Sequence, residues 1–194
     1  MPRSAKRIKR IKSVLAHRQP DLTVVLENIH DPHNVSAIFR SCDAVGVMRV
    51  ELLYTRERFP RIGKKSSSSA SKWLEQRKHT SVDDCYNALR SDGFVICATR
   101  LGPSSVSLYD LDLTKKVALV FGNEHRGVSH EAAEDADIRF QIPMVGMIQS
   151  LNVSVACAVS LYEVLRQRFA KGRLGRSKLS NPDLRTLYED WIKR

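Results

Sequence analysis

The chain has 194 residues, 42% of them hydrophobic, which is enough for one sizeable core and fits one domain or one domain with small extensions. Its 32 Lys and Arg against 21 Asp and Glu leave a net charge of +11, a balance that suits a polyanionic partner or an anionic membrane surface. No apolar run approaches the roughly 18 residues of a helical membrane span, so the expectation is a soluble, cytoplasmic protein.

Basic residues open the chain: Arg3, Lys6, Arg7, Lys9, Arg10 and Lys12 come with no acid between them. The stretch reads as a basic helix over about 4–18. No apolar stretch of the signal-peptide kind follows it, and Asp21 and Glu27 arrive soon after. Leu22–Glu27 is a short apolar strand. A helix from near Asn34 to Ala44 stops at Gly46, and Val47–Leu53 is the next strand. The polar loop that follows contains Lys64, Lys65 and Ser66–Ser69, either a flexible linker or an RNA-facing element. Ser81 and Asp84 are spaced as a capping pair for a helix that runs to Ser91 and ends at Gly93. Phe94–Thr99 and Lys116–Phe121 are near-continuous apolar runs, the pattern of strands buried on both faces of a parallel sheet. Ser129 caps a short helix, Ile138–Ile142 forms a strand, Ser150–Ala170 forms a long helix, and Asn181-Pro182 opens a terminal one. A second basic cluster, Arg166, Arg168, Lys171, Arg173, Arg176 and Lys178, lies around the end of the long helix.

This alternation argues for an α/β domain with a mainly parallel sheet covered by helices. Three parts are expected: a basic helical extension at 1–18, an α/β core at 19–165 and a second basic helical extension at 166–194. Cys42, Cys85, Cys97 and Cys157 are widely separated without a Cys-x-x-Cys pair, so reduced core thiols are expected in place of disulfides or zinc ligands. His30 and His33 beside Asp31 lack a third close ligand and are assigned to a turn or to RNA contact. Neither a Gly-x-Gly-x-x-Gly after a strand nor a P-loop is present, which disfavours a Rossmann-type methyltransferase or dehydrogenase.

The most informative stretch is 142–156. A strand end turns there through Pro143 and Gly146 and enters a helix at Ser150 and Asn152, either of which can cap the first turn; on spacing alone it is equally a capped core helix. Upstream stand Asn34-Val35-Ser36-Ala37-Ile38-Phe39-Arg40 and Phe121-Gly122-Asn123-Glu124-His125-Arg126-Gly127-Val128. In this order the three segments resemble the motifs of the SpoU (TrmH) branch of the SPOUT RNA methyltransferases. The resemblance extends through Gln19–Thr23, Ser41–Gly46 and the basic ends, and so over essentially the whole chain. It implies S-adenosylmethionine-dependent 2′-O-methylation of a tRNA ribose, that of guanosine 18 in the D-loop first of all, by a homodimer. The rivals are a 2′-O-methyltransferase for ribosomal RNA or the tRNA wobble nucleotide, and a non-catalytic RNA-binding protein on the same fold. Ser36, where many ribosomal-RNA relatives carry glycine, leans toward the tRNA branch. The alternation alone predicts an ordinary doubly wound sheet, because true knots are essentially absent from proteins; the resemblance implies instead a deep trefoil knot in the segments from Phe121 onward.

Carried over residue by residue, the resemblance places the cofactor among Thr99 and Leu101, Gly122 and Asn123, and Ile142, Met147, Ser150 and Leu151. It places catalysis on Arg40, helped by Asn34, Glu124, Ser150 and Asn152. The matching arginine is often described as a general base, but a guanidinium is protonated in essentially all protein settings. Arg40 is therefore read as at least an electrostatic clamp on the phosphate and the developing alkoxide. Asn34 is expected on the same helix face as Arg40, or as the helix N-cap; Glu124 either orients one of these residues or anchors its own turn. RNA contacts are expected from Arg3, Lys6, Arg7, Lys9, Arg10, Lys12, Arg166, Arg168, Lys171, Arg173 and Arg176. No metal is expected, since methyl transfer needs none.

Overall fold

Stretches of Val, Leu and Ile that are apolar on both faces become the interior strands of a sheet, and amphipathic segments between them become its cover. The structure, a computed structural model, describes residues 4–61, 70–174 and 177–194. In chain order its elements are α1 (Ala5–Ala16), β1 (Gln19–Glu27), α2 (Pro32–Val45), β2 (Val47–Leu53), β3 (Glu75–His79), α3 (Val82–Ser91), β4 (Val95–Thr99), β5 (Val106–Ser107), β6 (Val117–Phe121), α4 (His130–Glu134), β7 (Ile138–Gln141), α5 (Val153–Ala170) and α6 (Asn181–Trp191), with 3-10 turns at Ser71–Trp73 and Leu108–Asp110.

The strands form one seven-stranded sheet in the order β3-β2-β1-β6-β4-β7-β5, and every pairing is parallel. The expected α/β class with a mainly parallel sheet is the observed one. Alternation divides the side chains between two cores. Leu22, Val24, Leu26, Leu119 and Phe121 face α2 and α5, whereas Val25, Ala118 and Val120 face α3 and α4. Both edge strands escaped the sequence reading for one reason. β3 is Glu-Gln-Arg-Lys-His and β5 is two residues long, and short, charged edges are how sheets avoid pairing with other chains.

Parallel strands put all their carboxyl ends on one side of the sheet. The chain leaves β1 toward β2 and β3, then crosses to β4 on the far side of β1, and the resulting switch point opens a crevice there. The segments at 99–101, 122–128 and 142–152 line a cleft at that end of the sheet, and the turn at 28–31 after β1 is hydrogen-bonded to Glu124 beside it.

Helix boundaries correct two expectations. α2 begins at Pro32 under an Asp31 cap whose side chain accepts from the His33 N–H at 2.8 Å, so Asn34 lies inside the helix and is not its cap. The long helix begins at Val153 and not at Ser150: Asn152 is the cap, and Oδ1 accepts from the Ser154 N–H at 2.9 Å. α5 also runs without a break across the 165/166 boundary expected between core and extension.

The two termini meet. Ile11 and Leu15 of α1 pack with Trp191, Leu184, Leu187 and Tyr188 of α6 and with Trp73, forming a small satellite core. All four cysteines are free and buried, and burial pushes the Cys97 thiol up to about 12. Among the described residues, no helix is long and apolar enough to cross a membrane. Lys64, Lys65, Ser66–Ser69, Arg3 and Arg176 lie outside the described residues.

Candidate active site

At the end of β6 the chain folds back on itself at once. A β-carbon on Gly122 would lie 2.2 Å from the backbone of Gly127 and Val128, so only glycine permits the approach. Gly127 takes φ +68°, and its N–H donates to the Asn123 carbonyl at 2.8 Å, closing the turn. Asn123 is buried and ties this turn to β1: Nδ2 donates to the Asn28 carbonyl at 2.8 Å, while Oδ1 accepts from the His125 and Arg126 N–H groups at 3.0 and 3.3 Å. The next residue, Glu124, is thereby delivered to the start of α2.

Glu124 accepts hydrogen bonds from the backbone N–H groups of His30 and Asp31, both at 3.1 Å, and from Asn34 Nδ2 at 2.9 Å. Asn34 Oδ1 in turn accepts from Asn152 Nδ2 at 3.1 Å. One hydrogen-bonded chain thus joins three segments that lie far apart in sequence, and no member of it is left half-satisfied. Burial pushes the Glu124 carboxyl up, but the donors on Asn34 and on the His30 and Asp31 backbone outweigh it and hold the group below the usual carboxylate range. The Glu124 carboxylate thus holds the turn that enters α2 and the Asn34 amide, not the turn in which it stands. Asn152 is thereby fixed on Asn34.

Beside this chain lies a cleft of about 630 Å³ at the carboxyl ends of β4, β6 and β7, within the usual range for small-molecule sites. Thr99, Leu101, Gly122, Asn123, Ile142, Ser150 and Leu151 line it together with Glu124 and Asn152. Met147 does not: it is 99% exposed on the outside of the 142–152 segment, next to exposed Val145 and Ile148. Arg100, Phe140, Gln141, Val153 and Ala156 also line the cleft and went unflagged, because in sequence they look like ordinary strand and helix residues. Apolar side chains such as Leu101, Ile142 and Leu151 share the wall about evenly with polar ones such as Thr99, Asn123 and Ser150, a lining suited to a nucleoside.

Arg40 stands apart. It is exposed on α2, does not line the cleft, and among the described residues no side-chain hydrogen bond or ion pair holds it. Six residues at about 100° each fall roughly 120° short of two full turns. Asn34 and Arg40 therefore do not share a face, which corrects the expectation. His30 and His33 are exposed, and the described residues contain no group of three or more His, Cys, Asp or Glu able to hold a metal ion.

The basic residues divide into two kinds. Lys6, Arg7, Lys9, Arg10 and Lys12 are exposed along α1, as is Lys171 past α5. Arg166 is exposed and pairs with Glu163 at 2.8 Å. Arg168, expected to contact RNA, is fully buried instead: it donates to Gln19 and Asp21 side chains at 2.8 Å and to the carbonyls of Leu113, Asp21 and Lys115 at 3.1, 3.1 and 2.7 Å. The end of α5 docks there on loop carbonyls that need donors, and a guanidinium offers five N–H groups in a fixed fork. Arg173 donates to the Thr114 carbonyl at 2.6 Å, and Lys178 pairs with Asp21.

Comparison with known proteins agrees with this geometry. The sequence profile of the SpoU rRNA methylase family matches residues 21–162. The tRNA (guanosine(18)-2′-O)-methyltransferase of Thermus thermophilus is 43% identical over 192 residues, covering 99% of this chain and 98% of the relative. The crystal structure of the A. aeolicus TrmH/SpoU tRNA modifying enzyme superposes with a TM-score of 0.90 at 40% identity, covering 97% of this chain and 95% of that one. The SpoU methyltransferase AviRb from Streptomyces viridochromogenes, solved in complex with the cofactor AdoMet, gives a TM-score of 0.68 at 30% identity, with 88% of this chain and 67% of that chain covered.

Proposed function

Because the chain belongs to the SpoU rRNA methylase family, we propose that it transfers a methyl group from S-adenosylmethionine to the ribose 2′-oxygen of guanosine 18 in tRNA. The observation that carries this reading is the likeness to a tRNA guanosine-18 enzyme over 99% of the chain, both basic termini included. A family member that kept the fold but lost the chemistry has no need of a half-buried carboxylate, two amides and a turn that admits only glycine, all set beside one cleft.

S-adenosylmethionine, when bound, supplies an electrophilic methyl on a positively charged sulfur. Leu101, Ile142 and Leu151 offer apolar contact to its adenosine, with Thr99, Gly122, Asn123 and Ser150 completing the wall. Glu124, Asn34 and Asn152 keep the start of α2 fixed against that wall, so the nucleophile meets a site whose geometry is already set. In the reaction the 2′-oxygen bonds to the methyl carbon as the carbon–sulfur bond breaks, the sulfur leaves as a neutral thioether, and the hydroxyl proton passes to solvent. Arg40 stabilises the developing oxyanion and the neighbouring phosphate.

Arg40 lies outside its own chain's cleft, so the working unit is a homodimer in which Arg40 of one protomer serves the cleft of its partner. Val155, Tyr162 and Phe169 support this: they are exposed at seven-residue spacing on α5, an apolar stripe that a second copy covers. The exposed bases of α1 and Lys171 dock tRNA, the core carries the chemistry, and the enzyme works in the cytoplasm without a metal. Mapping ribose methylation in tRNA from cells lacking this gene tests the assignment. The mark at guanosine 18 is expected to vanish there and to return with the wild-type gene; a mark that persists, or one lost from another nucleotide, refutes it.

A further inference from the structure

A second cationic surface flanks the site, away from the basic termini. Beyond β2 the chain runs Tyr54-Thr55-Arg56-Glu57-Arg58-Phe59-Pro60-Arg61, and Arg56, Arg58 and Arg61 are all exposed. Among the described residues none of the three enters an ion pair. The acid between them, Glu57, is taken up by Arg126 at 2.7 Å, with His30 Nδ1 at 3.9 Å.

This segment is held in a fixed shape. Asn28, buried and at φ +50°, turns Oδ1 toward three successive backbone N–H groups, those of Thr55, Arg56 and Glu57, at 3.0, 3.1 and 3.2 Å. Its Nδ2 donates to Thr55 Oγ1 at 3.1 Å. Asparagine tolerates the left-handed region better than most residues with a side chain, so it can both turn the chain and anchor it. Phe59 packs edge-on against Tyr54 at 5.3 Å, and the Tyr54 hydroxyl donates to the Ile29 carbonyl at 2.9 Å. The Asn28 carbonyl is also the group that Asn123 holds. The arginine segment and the Glu124 turn therefore hang from one residue.

Three like charges on a short, anchored segment repel one another, an arrangement that is favourable only against an anion. Guanidinium groups match phosphate oxygens in a two-point fork, and fixing their backbone in advance lowers the entropy lost on contact. We propose that Arg56, Arg58 and Arg61 form a phosphate-contacting surface that seats the RNA backbone beside Glu124 and Asn34, and that Asn28 is the positioning residue that holds it there. The proposal rests on reading the chain as an RNA 2′-O-methyltransferase, and it adds to the α1 surface a contact next to the reacting nucleotide.

The test measures tRNA affinity over a salt series for the full chain and for the triple variant Arg56→Gln, Arg58→Gln, Arg61→Gln. Each lost phosphate contact lowers the log–log salt slope by roughly 0.7–0.9, so the triple variant is expected to lose about 2 from the slope; between about 50 and 200 mM salt that changes the affinity ratio to wild type by about sixteenfold. The triple Arg→Lys variant is expected to recover most of the slope, and S-adenosylmethionine affinity should be the same in all three proteins. Asn28→Gly keeps the left-handed backbone but removes the acceptor, so it should lower the slope with every arginine intact, whereas Asn28→Asp should not. An unchanged slope in the triple variant overturns the proposal, as does a shift in oligomeric state without a change in tRNA binding. The readout is binding, so failure of the wild type to methylate tRNA would sink the assigned reaction and leave this result standing on its own.

Discussion

Replacing Arg168 with Met separates a structural arginine from an RNA-binding one. Met keeps the apolar stem and removes the fully buried guanidinium, taking one donor from the half-buried Asp21 carboxylate, the Gln19 side chain and three backbone carbonyls. Removing one partner of a buried ion pair costs about 3–5 kcal/mol. Lys178 also reaches Asp21 and offsets part of the loss, so the lower end, about 3 kcal/mol, is expected. With a urea dependence of about 2 kcal/mol per molar, the unfolding midpoint should fall by roughly 1.5 M, measured at one protein concentration because a dimer's stability depends on it. Lys171→Met, on an exposed side chain, should stay within about 0.5 kcal/mol of wild type. If Arg168→Met unfolds like wild type and only flattens the salt dependence of tRNA binding, the reasoning from burial is wrong.

Arg40→Ala should lower kcat by at least about a hundredfold while S-adenosylmethionine affinity stays near wild type, since Arg40 lies outside the cleft lining; turnover within a few-fold of wild type contradicts its role. Tyr162→Glu, placing a charge in the middle of the exposed α5 stripe, should shift sedimentation toward monomer and abolish activity in step; an active monomer refutes the shared site. Buried His79 lies between Glu51 at 2.7 Å and Asp84 at 2.8 Å, and the hydrogen bond to Glu51 first, then that to Asp84, raise its pKa against the effect of burial. A raised folded value means stabilisation that is complete below the free value of about 6.5 and lost as pH climbs through the folded one. Wild-type stability should therefore fall relative to His79→Gln as pH rises above about 6.5, and parallel pH curves for the two proteins count against the pairing.

What was legible in the sequence follows from what each residue must satisfy. β6, Val117–Phe121, announces itself because a strand covered on both faces has no polar position, whereas polar β3 sits at an edge where charge is an advantage. The motif segments could be named from their order, and the reason for Gly122 and Gly127 came only with the turn that folds one onto the other. Asn34 and Arg40 share a helix, but the six-residue spacing turns them to different faces, and that angle decides which one meets Glu124 and Asn152. Arg168 shows the limit most plainly. In a row of bases it reads like its neighbours, and only the carbonyls that α5 lands on make it a core residue. Asn28 left one faint signal, an asparagine directly after a strand, and its three backbone partners lie on a loop more than twenty residues away.

The most direct measurement of the central claim uses the purified full-length protein, S-adenosylmethionine labelled in the methyl group, and two unmodified tRNA transcripts that differ only in carrying guanosine or adenosine at position 18. The expected result is close to one methyl group per guanosine-18 transcript, resistant to alkaline cleavage at that linkage, and none on the adenosine-18 transcript. Equal incorporation into both transcripts, or a resistant linkage at any other nucleotide, would contradict the assignment.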